Sequence, residues 1–119
     1  MPNPHDLLSL AERCEKAEAG SFALECEVAR AAGRFANPPR TFTSSTDAAT
    51  SLMPAGTMYR SGHDGAGPDP SLFFCEAITD APACHRVRSV AATEALARVA
   101  ASLRALAAME AEKGGNDGD

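Results

Sequence analysis

The densest group of reactive side chains is the run TSSTD at residues 43–47, with two threonines, two serines and an aspartate. A serine or threonine nucleophile needs a base within hydrogen-bond reach, usually a histidine. The candidates are His63 and His85, and neither lies in a supporting motif. Ser, Thr and Asp are also the preferred residues at helix starts, so we interpret the run as the start of a short helix, capped by Ser44 or Ser45. We therefore expect no catalytic residues in this run.

A second candidate site lies in the segment CHRVRSV. Arg86 and Arg88 are two residues apart and therefore share one face of a strand. Arg60, on an earlier strand, could join them if the strands are neighbours, with Tyr59 or His63 nearby. Converging guanidinium groups suit a phosphate or an acidic partner, because they form bidentate hydrogen bonds. Strand arginines are also common as plain surface charge, and this interpretation stays open beside the first.

Other motifs give weaker indications. The loop GHDGAG lacks the lysine and the spacing of a nucleotide-binding P-loop, so we interpret it as a hairpin connection that could touch a ligand. The four cysteines, Cys14, Cys26, Cys75 and Cys84, have no close pair of the zinc-binding type. We expect buried free thiols, no metal, no cofactor and no enzyme activity.

The composition sets limits on the class of protein. A chain of 119 residues suits one domain, which we expect over residues 1–109, with a disordered acidic tail over 110–119. The net charge of −5 makes nucleic acid an unlikely partner. No apolar run approaches the roughly 20 residues that span a bilayer, and no secretion signal is recognised, so we expect no membrane partner and a location in the bacterial cytoplasm.

Apolar spacing and turn residues predict the order α-α-α-β-β-β-α. Helix starts are indicated at Asn3-Pro4, Ser21 and Thr93, besides the one at Ser44 or Ser45. The strands are predicted at 57–61, 72–78 and 84–90, separated by turn-rich segments. The proline-rich segment 34–40 reads as a connector. We expect an α+β fold, in which the last and third helices cover one face of a three-stranded antiparallel sheet and the N-terminal helices cover the remaining apolar surface.

Four segments resemble a known family. They are LLSLAERCEKAEAG, LECEVARAAG, TFTSSTDAATSLMPAG and ATEALARVAASLRALAAM, in chain order. Together they resemble the phage ABA-sandwich domain family of small proteins from tailed bacteriophages and prophages. The resemblance implies an alpha-beta-alpha sandwich, in agreement with the predicted order. It implies no reaction and no catalytic residues.

These observations favour a non-enzymatic, phage-encoded accessory protein that acts by binding. The resemblance suggests an inhibitor of a bacterial anti-phage defence system. Such an inhibitor could cover a defence protein, or sequester a signalling nucleotide on Arg60, Arg86 and Arg88, with a homo-oligomer as one arrangement. The alternative is an interaction protein of the virion or its assembly, with no ligand.

Overall fold

Seven elements follow one another along the chain. The computed structural model describes residues 4–33, 42–43, 45–54, 56–64, 72–79 and 84–117, with the backbone alone for 112–117. The elements are the helices α1 (Pro4–Lys16), α2 (Phe22–Ala31), α3 (Thr46–Thr50) and α4 (Glu94–Asp117), and the strands β1 (Met58–His63), β2 (Phe73–Thr79) and β3 (His85–Ala91). This order and the α+β class confirm the predictions from the sequence, and each strand begins one residue later than predicted. The connector at 34–40 and Asn3 lie outside the described residues.

Three helices begin at hydroxyl side chains, as predicted. The Oγ of Ser21 accepts a hydrogen bond from the backbone N–H of Leu24 at 3.2 Å. Ser45 caps α3 in the same way, through the N–H of Ala48 at 3.3 Å. The Oγ1 of Thr93 accepts from the N–H three residues later, at 3.1 Å. Each cap satisfies a donor that the first turn of a helix leaves unpaired.

The sheet has one covered face. Strand β2 lies in the middle of the antiparallel sheet, with β1 and β3 at its edges. Along β2, Cys75, Ala77 and Thr79 are buried, whereas the residues between them are only partly buried. This alternation is the period of two expected when one face packs on the core. Helix α4 covers that face and contacts all three strands.

Helix α4 is apolar on more than one side. Leu96, Val99 and Leu103 have no exposed surface, and the alanines at 97 and 101 are equally buried. A helix of this kind has to be covered on several sides. Helices α1 and α3 therefore pack against α4, and α1 makes a smaller contact with β3. The N-terminal helices cover apolar surface of α4, since α1 packs chiefly on α4 and α2 packs on α1.

The C-terminal helix extends beyond the predicted domain boundary. Helix α4 continues to Asp117, into the segment for which we expected a disordered tail. Among the described helices, none combines the length and the apolar content that crossing a lipid bilayer would require.

The four cysteines are free thiols, as expected. Burial raises the pKa of the Cys14 thiol to about 12 and that of Cys75 to about 11, because a thiolate is poorly solvated there. These two thiols act as small core residues. The expectation of burial is wrong for Cys84, which is exposed just before β3, and Cys26 is only partly buried.

Candidate functional site

The face of the sheet that points away from α4 carries the candidate site, and we call it the open face. None of its side chains is buried, and no described helix packs against it. The antiparallel register arranges its side chains in three rows across the strands. The rows are Met58–Ile78–Arg86, Arg60–Glu76–Arg88 and Gly62–Phe74–Val90.

The three predicted arginines, Arg60, Arg86 and Arg88, share this face. Arg86 and Arg88 share the face because side chains alternate between the two faces along a strand. Arg60 and Arg88 do not lie on neighbouring strands, because β2 separates them and places Glu76 directly between them. The cluster is therefore a row of alternating charge, with the two guanidinium groups flanking a carboxylate.

Two of the arginines have carboxylate partners. The Nε of Arg60 donates to Glu76 at 3.3 Å, and Arg88 donates to the Oδ1 of Asp64 at 2.8 Å. The side chains of Arg88 and Asp64 are 46% and 7% exposed, whereas those of Arg60 and Glu76 are 75% and 17% exposed. The Arg88 pair is therefore the more shielded of the two. Arg86 is exposed and has no ion pair with another described residue.

An aromatic ring lies close to both arginines that have carboxylate partners. The guanidinium carbon of Arg60 lies 5.9 Å from the centre of the Phe74 ring, and that of Arg88 lies 5.2 Å from it. Both distances are in the range of cation–π attraction. The open face thus carries, on its middle strand, a phenyl ring with a guanidinium group from each edge strand next to it.

Tyr59 and His63, also predicted for this site, lie on the other face of the sheet from the three arginines. Both side chains project from β1 toward α4, because odd-numbered residues of this strand face the helix. The Tyr59 ring lies under the guanidinium of Arg98, at 5.1 Å. The His63 ring packs on Phe73, with 4.4 Å between the ring centres.

A polar network on the covered face was missed by the sequence analysis. Arg98 of α4 donates to the Oγ of Ser61 at 3.0 Å, to the Oγ1 of Thr50 at 2.6 Å and to Glu94 at 2.7 Å. The hydroxyl of Ser61 donates to the same Glu94 carboxylate at 2.7 Å. The hydrogen bonds from Ser61 and Arg98 lower the pKa of Glu94, because they stabilise its charged form. The i, i+4 spacing of Glu94 and Arg98 was the one signal in the sequence.

Two residues of the hydroxyl run at 43–47 have structural partners, and Ser44 lies outside the described residues. Thr43 is buried, and its Oγ1 donates to Glu25 at 3.3 Å and accepts from the backbone N–H of Ser21 at 3.2 Å. Ser45 caps α3. These contacts tie the residues before α3 to the first turn of α2, in agreement with the interpretation as a helix start.

In the described ranges, no group of three or more His, Cys, Asp or Glu side chains is placed to hold a metal ion. The resemblance to a phage family stays a prediction. Comparisons of the chain with protein-family models, with curated proteins and with solved structures find no match.

Proposed function

We propose that this chain is a non-enzymatic protein that acts by binding another protein through the open face of its sheet. The observation that carries this proposal is the make-up of that face. Arg, Met and aromatic residues are the types enriched at protein interfaces, and here Met58 is 68% exposed next to Arg60, with Phe74 two rows away on the same face.

The charges of the face indicate what kind of partner it would suit. Three guanidinium groups stand against the two carboxylates of Glu76 and Asp64, and Arg86 has no described partner. A small phosphorylated ligand would have to compete with both carboxylates for Arg60 and Arg88. A protein surface with an apolar centre and acidic residues at its margin can contact Met58 and Phe74 while it pairs with Arg86.

The biological setting of the proposal comes from the resemblance in the sequence. We place the chain in an infected bacterium, as an inhibitor that covers a protein of an anti-phage defence system. The mode of action would be occlusion, which needs surface complementarity and no chemistry.

A plating assay tests the proposal. Bacterial strains that each carry one defence system are infected with phages which that system blocks, with and without expression of this chain. We expect plaques to return for at least one system. Arg60→Glu should abolish this effect, because the exposed guanidinium becomes a carboxylate, while Lys16→Glu on α1 should retain it. Failure of the wild-type chain against every system, or an equal effect of Arg60→Glu, would contradict the proposal.

A second candidate is sequestration of a signalling nucleotide, and the contacts of Phe74 favour it. An aromatic ring next to guanidinium groups can stack on a base and contact a phosphate. Calorimetry of the purified chain against a panel of cyclic and linear signalling nucleotides distinguishes the two functions. Binding that is lost in both Phe74→Leu and Arg88→Ala, and kept in Lys16→Glu, would support sequestration over occlusion.

A further inference from the structure

A groove of about 380 Å³ lies on another part of the molecule, between the start of α1, strand β3 and the C-terminal half of α4. Its wall on the helix side is mostly apolar, with Leu8 of α1 and the alanines of α4 at 107, 108 and 111, and it also includes Arg104. Leu8 is 39% exposed and lies outside the buried face of α1.

The residues of β3 that line the groove show where it runs. They are Val87 and Arg88, which are consecutive and therefore point to opposite faces of the sheet. A groove that passes along the edge of the strand can contact both of them. No residue of β2 lines the groove, so it follows the outer edge of β3.

That edge has no strand partner among the described residues, where β3 pairs with β2 alone. Every second residue of an edge strand directs its N–H and C=O away from the sheet, and such groups can accept a further strand. The groove therefore combines a hydrogen-bonding edge with an apolar wall on one side of it.

The two sides of this edge differ in chemistry. On the helix side, Arg104 donates to Glu15 through two hydrogen bonds of 2.9 and 2.6 Å, so its charge is already matched. An apolar side chain fits between Leu8, Ala107 and Ala108. On the other side of the edge stand Arg88, which pairs with Asp64 but is 46% exposed, and the exposed Arg86, which has no described ion pair and attracts acidic side chains.

We propose that the edge of β3 binds an extended segment of a partner protein as a fourth strand of the sheet. The segment alternates apolar and acidic residues, with the apolar ones in the groove and the acidic ones beside Arg86 and Arg88. The proposal goes beyond the function inferred above, because it concerns the strand edge and the groove. It does not depend on which partner binds the open face.

The arginines disfavour a second copy of this chain as the occupant. Antiparallel pairing of β3 with β3 of another copy, centred on Val87 or Arg88, places Arg88 opposite Arg86 or opposite itself. Like charges directly opposite each other destabilise a strand pair. A partner with acidic residues at these positions has the opposite preference.

The test uses a synthetic peptide of about six residues, a common strand length, in which leucine and glutamate alternate. It is titrated into the isotope-labelled full chain and followed through the backbone amide signals. We expect the signals of β3 and of residues 107–111 to move, while those of β1 stay in place. A peptide with lysine in place of glutamate should bind about tenfold more weakly, because repulsion replaces attraction at two positions.

Two further comparisons separate strand addition from simple charge attraction. Two further peptides are N-methylated at every second amide, in two phases that are offset by one residue. Binding should be abolished in the phase that removes the N–H groups facing β3. Ala108→Leu, which fills the groove with a good helix former, should weaken binding about tenfold, while Ala23→Leu at an exposed position of α2 should not.

Equal binding of the lysine peptide, indifference to N-methylation in both phases, or movement of β1 signals in place of β3 signals would overturn the proposal. Arg60→Glu tests the open face separately, because Arg60 lies on the far strand and does not line the groove. Loss of partner binding in Arg60→Glu with unchanged peptide binding would confirm the strand edge as a site of its own.

Discussion

On the face of the sheet that α4 covers, Arg98 is 17% exposed and bonds to three side chains from three different elements. On the open face, Arg60, Arg86 and Arg88 project from the strands, and their contacts with other described residues leave most donors unused. The same residue type thus has two roles in one small sheet. The covered arginine holds elements together, and the exposed ones are available to a partner.

The largest difference in the free energy of unfolding is expected between a variant in the core under the covered face and a variant on the open face. Leu103→Ala should lower the free energy of unfolding by about 2–5 kcal/mol, because it leaves a cavity beside a fully buried side chain. Met58→Ala on the open face should change it by about 0.5 kcal/mol or less. Urea unfolding of both variants measures the difference. A comparable loss in Met58→Ala would show that the open face is covered.

The two kinds of arginine give the next contrast. Arg98→Ala should cost about 2 kcal/mol, since it leaves Glu94 and Thr50 without their charged partner in a partly buried place. Arg60→Ala should cost about 0.5 kcal/mol or less, because exposed ion pairs contribute little. Equal losses in the two variants would remove the distinction between a structural and an available arginine.

A helix cap next to the covered network tests a smaller effect. Thr93→Ala should destabilise the protein by about 1 kcal/mol, because the first turn of α4 loses the acceptor for its N–H. Thr93→Ser keeps the hydroxyl and should recover most of this loss. Thermal unfolding followed by circular dichroism measures both, and a similar loss in Thr93→Ser would assign the effect to packing of the methyl group.

The polar network on the covered face should also make the stability of the protein depend on pH. The pKa of Glu94 in the folded chain lies below its usual value of 4.5. Its contribution to stability is therefore present above about pH 4.5 and is lost as the pH falls through the lowered value. Glu94→Gln should be less stable than the wild type at neutral pH, and the gap should narrow in acid.

Urea unfolding at a series of pH values between about 7 and about 3 checks this expectation. Glu18→Gln, at an exposed carboxylate, serves as the control and should follow the wild type. A gap between Glu94→Gln and the wild type that stays constant with pH would contradict the assignment.

Local signals in the sequence predicted much of the fold. The caps at Ser21, Ser45 and Thr93 follow from residue preferences within single turns. The common face of Arg86 and Arg88 follows from the period of a strand. The same period excludes Tyr59 from the face of Arg60.

Contacts between distant segments were beyond the sequence. Thr50 and Ser61 contact Arg98 only because α3 and β1 both pack near α4, and no local pattern indicates this. The central position of β2, which places Glu76 between two arginines, is likewise a property of the whole sheet. The groove beside β3 depends on how α1 packs on α4 and could not be predicted from spacing.

Methyl signals of the chain, recorded with a defence protein that the plating assay identifies, test the central claim most directly. The sequence has a single isoleucine, Ile78, whose side chain lies on the open face beside that of Met58, whereas Met53 packs against the core. In a chain with isotope-labelled isoleucine and methionine methyl groups, addition of the partner should shift or broaden the signals of Ile78 and Met58 and leave that of Met53 unchanged. Unchanged signals from Ile78 and Met58 in the bound complex would contradict the open face as the binding surface.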